Sequence, residues 1–306
     1  MRGLGGCRLS AQRGSVLVGI GFVVLACACF AVLDTTAKYL TAAVPILLAV
    51  WARYLFQAVV SAAVLLPMHG LSVLRIRHPL LQTLRGLMLV GSTTIAFLSL
   101  AVMPLAEFTA ILMVTPLVVT VIAVAVLGER ISAMHWLCVV GGFVGVLVIL
   151  RPGYHDLGWA TLLPLGCVAT NSVFQLLSGH LGKLEKAATT HLFSTWVGAT
   201  LSTLVLPFVW VRVDSLWLWG LMFLCGAMGA VGHFLLTLAY ERAGAVTLVP
   251  YLYFHIGFAV IGGWLVFSQL PDHWAWAGIA LIALSGIVGA WLSARENTVV
   301  AKLPET

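Results

Sequence analysis

Charge is what this sequence has least of. Only 8% of its 306 residues are Asp, Glu, Lys or Arg, against about 25% in a soluble domain. A water-soluble fold of this size needs far more polar surface, and that class is excluded. No P-loop is present, so nothing here points to work driven by bound ATP. There is no CxxC and no Cys/His cluster. Cys7, Cys27, Cys29, Cys138, Cys167 and Cys225 stand apart, all but Cys7 inside apolar runs. That pattern argues against a metal site, a disulfide framework and a bound cofactor. The clustered acids and histidines of a membrane-embedded enzyme are missing too. So is the alternation of an outer-membrane barrel.

What is present is hydrocarbon. The chain is 61% hydrophobic, with a mean hydropathy of +1.09. A membrane-spanning helix needs roughly 20 apolar residues. Ten apolar segments can be marked, at about 15–37, 44–67, 80–100, 104–127, 133–150, 158–179, 188–210, 216–239, 245–267 and 274–293. The predicted fold class is therefore an all-α integral membrane protein with ten transmembrane helices. Residues 1–14 read as a basic, poorly structured tail, and 294–306 as a second tail. The first apolar run is too long for a signal-peptide core and reads as a retained span. Short connectors leave no room for an extramembrane domain. Gly141, Gly142 and Gly145 give the fifth span a small-residue face on which backbones approach closely.

The net charge of +6 would suit nucleic acid, but the basic residues sit in connectors and tails. With the amino terminus placed in the cytoplasm, inside stretches carry twelve Lys or Arg and outside stretches three (Lys38, Arg151, Arg212). Arg53 remains within a span, which completes the 16. This bias predicts both termini inside and an even number of spans.

The chain also resembles itself. VLGERISAMHW at 126–136 and VFSQLPDHWAW at 266–276 align at an offset of 140 residues, which places Trp136 on Trp276. The same offset lays spans one to five on spans six to ten. Five is odd, so the second copy enters the membrane upside down. The expectation is two inverted five-helix repeats, 15–151 and 158–293, the plan of secondary transporters.

The ordered motifs LDTTAKYL, WARYL, MPLAEFTAILMVTPL, LGERIS, GVLVILRPG and LAYERAGAVTLVPYLY carry a resemblance across about residues 15–293. The sequence resembles the ten-span EamA-type transporters of the drug/metabolite transporter superfamily. That resemblance implies a carrier in a bacterial inner membrane whose cargo is a small organic metabolite, such as an amino acid, a vitamin or a drug. In the second repeat, Ser268–Gln269 stands where the family commonly has Gly–Glu.

Several polar residues fall at depth. Asp34 lies near the outer rim, roughly 28 Å from Ser15 at 1.5 Å per residue. It can pair with Lys38 at i+4, either as a helix end or as the lining of an outer vestibule. Arg53 lies very roughly 12 Å deep and needs an acceptor. Asp34 and Glu107 are the expected partners, and the group either gates the outer side or meets a substrate carboxylate. His255 is expected near the midplane, opposite Thr115 under the offset, with Tyr251 and Tyr253 close before it. It is either a packed core residue or a substrate contact or proton carrier, since histidine changes charge near neutral pH. Asn171 and Gln175 are further polar groups of the sixth span. His191 and His233 read as structural. Proton coupling through Glu107 or His255 and facilitative exchange both fit these features. A membrane enzyme and a non-transporting scaffold are the rival readings.

Overall fold

The computed structural model describes residues 3–127, 132–151, 160, 162–182, 184–242 and 245–300, and among these the regular structure is helical, with no strand. Among the described residues nine stretches are long and apolar enough to cross a membrane, so the molecule is a multi-pass membrane protein. The sixth expected span, α7 (Leu163–Leu181), is not among the nine. Asn171, Gln175 and His180 dilute its hydrocarbon. It nevertheless packs against α3 (Pro79–Val102) and α5 (Thr115–Leu127). The first helix, α1 (Gly3–Ala43), begins well before residue 15. Most of the expected amino-terminal tail is therefore helical in its backbone.

Element by element, the second half repeats the first at the 140-residue offset. The helix α2 (Ile46–His69) carries Pro67, and α8 (Ala187–Val209) carries Pro207 at the matching place. The short helices α4 (Leu105–Leu112) and α10 (Ala245–Leu252) coincide at both ends after the shift. The remaining counterparts are α3 with α9 (Leu216–Arg242), α5 with α11 (Phe254–Phe267) and α6 (Ala133–Leu150) with α12 (His273–Val300).

The fourth span of each half is broken, and the break falls at Met113–Val114 in one half and Tyr253 in the other. Chemistry explains the first break. Pro116 has no N–H to bond the carbonyl of Leu112, four residues back. The Thr115 hydroxyl takes that carbonyl instead, at 2.6 Å. In the second half Pro250 lies inside α10, three residues before the break.

The halves pack together across matched elements: α1 on α9, α3 on α7, α2 on α8 and α6 on α12. The last contact uses the glycine face. A Cβ on Gly145 would stand 2.9 Å from the Gly278 carbonyl oxygen, and one on Gly278 would stand 2.7 Å from that of Gly145. These helices touch backbone to backbone, as the sequence predicts. Elsewhere the match is incomplete. The helix α4 packs on α11, whereas their counterparts α10 and α5 make no comparable contact among the described residues. The bundle is thus closed at the end holding α4 and α11, which the charge count assigns to the outside.

Candidate substrate site

The two helix breaks meet at the centre. The Tyr253 hydroxyl donates to the Met113 carbonyl oxygen at 3.2 Å, and the two residues are equivalents under the offset. Tyr253 is thereby a tie between the halves. Thr115 is buried and spends its hydroxyl within its own chain turn. Tyr251 packs with Phe22, Leu252 and other apolar side chains around Val23 and Cys27.

His255, buried on α11, approaches a residue of α1. Its Nε2 stands 3.2 Å from Asp34 Oδ2. The contact is close but not aligned, and His255 Nε2 makes no hydrogen bond. Phe30, one turn before Asp34, sits between two histidine rings, with centroids 6.1 Å from His255 and 5.0 Å from His233. His191 follows at 5.8 Å from His233, and its Nε2 shares a 3.0 Å hydrogen bond with Ser61 Oγ. Ser61 and His191 also line a narrow cavity of ≈ 40 Å³. A larger apolar recess of ≈ 330 Å³ lies between α11 and α12, with Tyr253 and Trp276 in its wall.

Three expected pairings change. The Asp34–Lys38 pair does not form, because Asp34 turns to His255 and Lys38 turns to the end of α3. Lys38 Nζ donates to the carbonyl oxygens of Leu100 (2.9 Å) and Met103 (2.7 Å). Those carbonyls lack intrahelical donors and sit at the negative end of the helix dipole, where a cation is favoured. Arg53 pairs with neither Asp34 nor Glu107. Its Nη1 donates to Thr93 Oγ1 at 3.0 Å, and its guanidinium lies 4.9 Å from the Tyr54 ring centroid. Glu107 instead lies within electrostatic reach of Asp272, Arg151 and Lys38, at the closed end.

At that same end Arg151 clasps Asp272. Arg151 Nη2 reaches both carboxylate oxygens, at 2.7 and 2.6 Å, and so joins α6 to α12. The Ala275 backbone N–H also donates to Asp272, at 2.8 Å. That hydrogen bond and then the one from Arg151 hold the Asp272 carboxyl below its usual value of 3.8.

Asn171 is half-buried and Gln175 is exposed on α7. Neither is brought to the Tyr253–His255 region by any contact described. Glu129 and Arg130 lie outside the described residues. Sequence reasoning missed Gln57, which is fully buried with neither amide atom hydrogen-bonded. Its signal was available: it follows Arg53 by four residues, on the same helix face.

Comparison with known proteins places this geometry in a family. Residues 17–151 match the EamA-like transporter family. A riboflavin transporter of Rhizobium johnstonii is 28% identical over 92% of this chain and 94% of its own. An S-adenosylmethionine uptake transporter of Rickettsia felis is 27% identical over 87% of this chain and 90% of its own. A pseudopaline exporter of Pseudomonas aeruginosa is 27% identical, with 88% and 94% covered. A solved crystal structure superposes with a TM-score of 0.66 over 93% of this chain and 99% of its own, at 20% identity, and that likeness concerns the fold alone. The chain thus carries an EamA-like transporter domain over residues 17–151 and is similar along most of its length to bacterial transporters of small metabolites.

Proposed function

We propose that the protein is a secondary carrier for a small amphipathic metabolite, such as an amino acid or a vitamin, across a bacterial inner membrane. Both termini lie in the cytoplasm, and the halves 15–151 and 158–293 rock about a central site, exposing it alternately to each side. The observation that carries this reading is the pair of broken fourth spans meeting at Tyr253 and Met113. One end of that junction is packed by α4 on α11, and among the described residues α5 and α10 make no comparable contact at the other end. A bundle that can hold either contact has two states, as alternating access requires. With the amino terminus inside, the present state faces the cytoplasm.

Proton coupling runs through the His255–Asp34 pair. It joins the two halves beside a helix break, and Nε2 faces the carboxylate without an aligned hydrogen bond. Glu107 is the weaker carrier, because it sits among the charges of the closed end. The relatives' names include both uptake and export, so direction follows the gradients. Saturable flux of riboflavin, S-adenosylmethionine or amino acids into proteoliposomes is the test. Flux should respond to an imposed pH gradient, and His255→Asn should abolish that response. Absence of saturable flux for every compound would refute the carrier reading, and a response surviving in His255→Asn would refute the proton route.

A further inference from the structure

Two arginines lie inside the bundle, and they are not treated alike by the fold. Arg85 on α3 is held by three hydrogen bonds. Its Nε donates to Ser178 Oγ at 2.7 Å, its Nη1 to the Thr190 carbonyl at 3.2 Å and to Ser194 Oγ, and its guanidinium rests 4.4 Å from the Phe174 ring centroid. Arg53 on α2 is only 5% exposed, yet it makes a single hydrogen bond, to Thr93. Its Nε is buried without a partner, and no carboxylate among the described residues pairs with it. Guanidinium offers five donors in a rigid fork. The fold uses one of them and leaves the buried Nε without a partner, in a setting where an unpaired charge costs several kcal/mol.

The acceptor that Thr93 supplies is itself shared, since its Oγ1 lies 2.8 Å from the Tyr54 hydroxyl. One turn along α2, the Gln57 amide is buried with both of its polar atoms unpaired. Nothing in the fold explains two unsatisfied polar groups on one helix face. Buried polar groups are normally paired, and exceptions call for a missing partner. The arrangement suits an anion with planar oxygens. A carboxylate fits the fork with two parallel hydrogen bonds, and its position beside Gln57 offers a further donor.

We propose that Arg53 is the anion subsite of the carrier and that the cargo is a carboxylate-bearing metabolite, its carboxylate held by Arg53 with Gln57 beside it. This rests on the carrier reading above and names the substrate class. A neutral cargo would leave the buried charge uncompensated in the loaded state, and translocation would carry that cost. A carboxylate cargo removes it.

The test uses matched pairs that differ only at the acid group: nicotinate with nicotinamide, L-tryptophan with L-tryptophanamide, and pantothenate with pantothenol. Thermal stabilisation of the purified full chain is titrated with each compound. The acid of at least one pair should bind at least tenfold more tightly than its neutral partner. Arg53→Gln should erase that preference, a loss of roughly tenfold to a hundredfold. Arg53→Lys should fall between, because it keeps the charge and loses the fork. Unliganded Arg53→Gln should melt no lower than the wild type, since it deletes an unpaired charge. A preference absent from all three pairs, or intact in Arg53→Gln, overturns the proposal, as does a lower melting temperature for the unliganded variant. Flux of the same acids in proteoliposomes separates the two levels. Saturable flux indifferent to Arg53 sinks the subsite alone, and no flux of any compound sinks the carrier.

Discussion

Replacing Gly145 by alanine tests the backbone contact that joins the two halves. The new methyl would lie 2.7 Å from Ile282 Cγ1, 2.9 Å from the Gly278 carbonyl oxygen and 3.2 Å from the Ile282 backbone nitrogen. The side-chain carbon can rotate away, but the two backbone atoms cannot. Comfortable carbon contacts begin near 3.5 Å, so α6 and α12 must part by roughly half an ångström or more. A gap of that size forfeits about a quarter to a half of each dispersion contact along the interface. Overpacking of this kind costs about 1–3 kcal/mol. Alanine's higher helix propensity returns up to about 1 kcal/mol, which leaves a net loss of up to about 2 kcal/mol and a wider gap to any alanine that meets no clash. Gly91→Ala is the control, because nothing lies within 4 Å of that methyl. It should leave stability unchanged or raise it. Denaturant or thermal unfolding in detergent reads both. Gly145 and Gly278 share one contact, so the double alanine variant should lose less than the sum of the singles. The reasoning fails if Gly145→Ala matches or exceeds Gly91→Ala in stability, or if the pair is strictly additive.

Two further predictions concern the closed end. Ser268 ends α11 with φ +54°, a left-handed conformation that costs a side-chain-bearing residue about 1–2 kcal/mol and glycine almost nothing. Ser268→Gly should stabilise the protein by about 1 kcal/mol in the same assay, and no gain would mean that the turn is not strained. The depressed Asp272 carboxyl makes the Arg151 clasp acid-sensitive. A group whose folded value is lowered contributes above its unfolded value, near 3.8, and loses that contribution as pH falls further. The Asp272 side chain is 45% exposed, so solvent screening holds the effect to about 0.5 kcal/mol. Wild type should therefore exceed Asp272→Asn in stability at pH 6 and converge on it only as pH falls through the depressed Asp272 value. A difference that persists in acid would place the effect elsewhere.

Hydropathy was enough to read a helical membrane protein, and the 140-residue echo pointed to a doubled plan, because lipid constrains each span one at a time. A helix must be apolar and long enough wherever it sits in the bundle, and a chain segment records that alone. The glycine face of α6 was legible for the same reason: small residues at helical spacing describe a surface before its partner is known. The break at Met113 was written in Pro116. The count of spans was less secure, because α7 dilutes its apolar length with Asn171 and Gln175, and only packing against α3 and α5 keeps it in the bundle.

Partners were another matter. Sequence spacing put Asp34 within reach of Lys38, and depth put Arg53 near Glu107. The fold instead gave Asp34 to His255, 221 residues away, Lys38 to the end of α3, and Arg53 to Thr93 and the Tyr54 ring. A single helix face offers an ionic group several candidates, and which neighbour turns toward it depends on how five other helices are rotated about their axes. Those rotations are set by shape fit across the whole bundle, such as Gly145 on Gly278, and no local segment encodes them. The tertiary structure alone therefore decided which charge was left unmatched in the membrane.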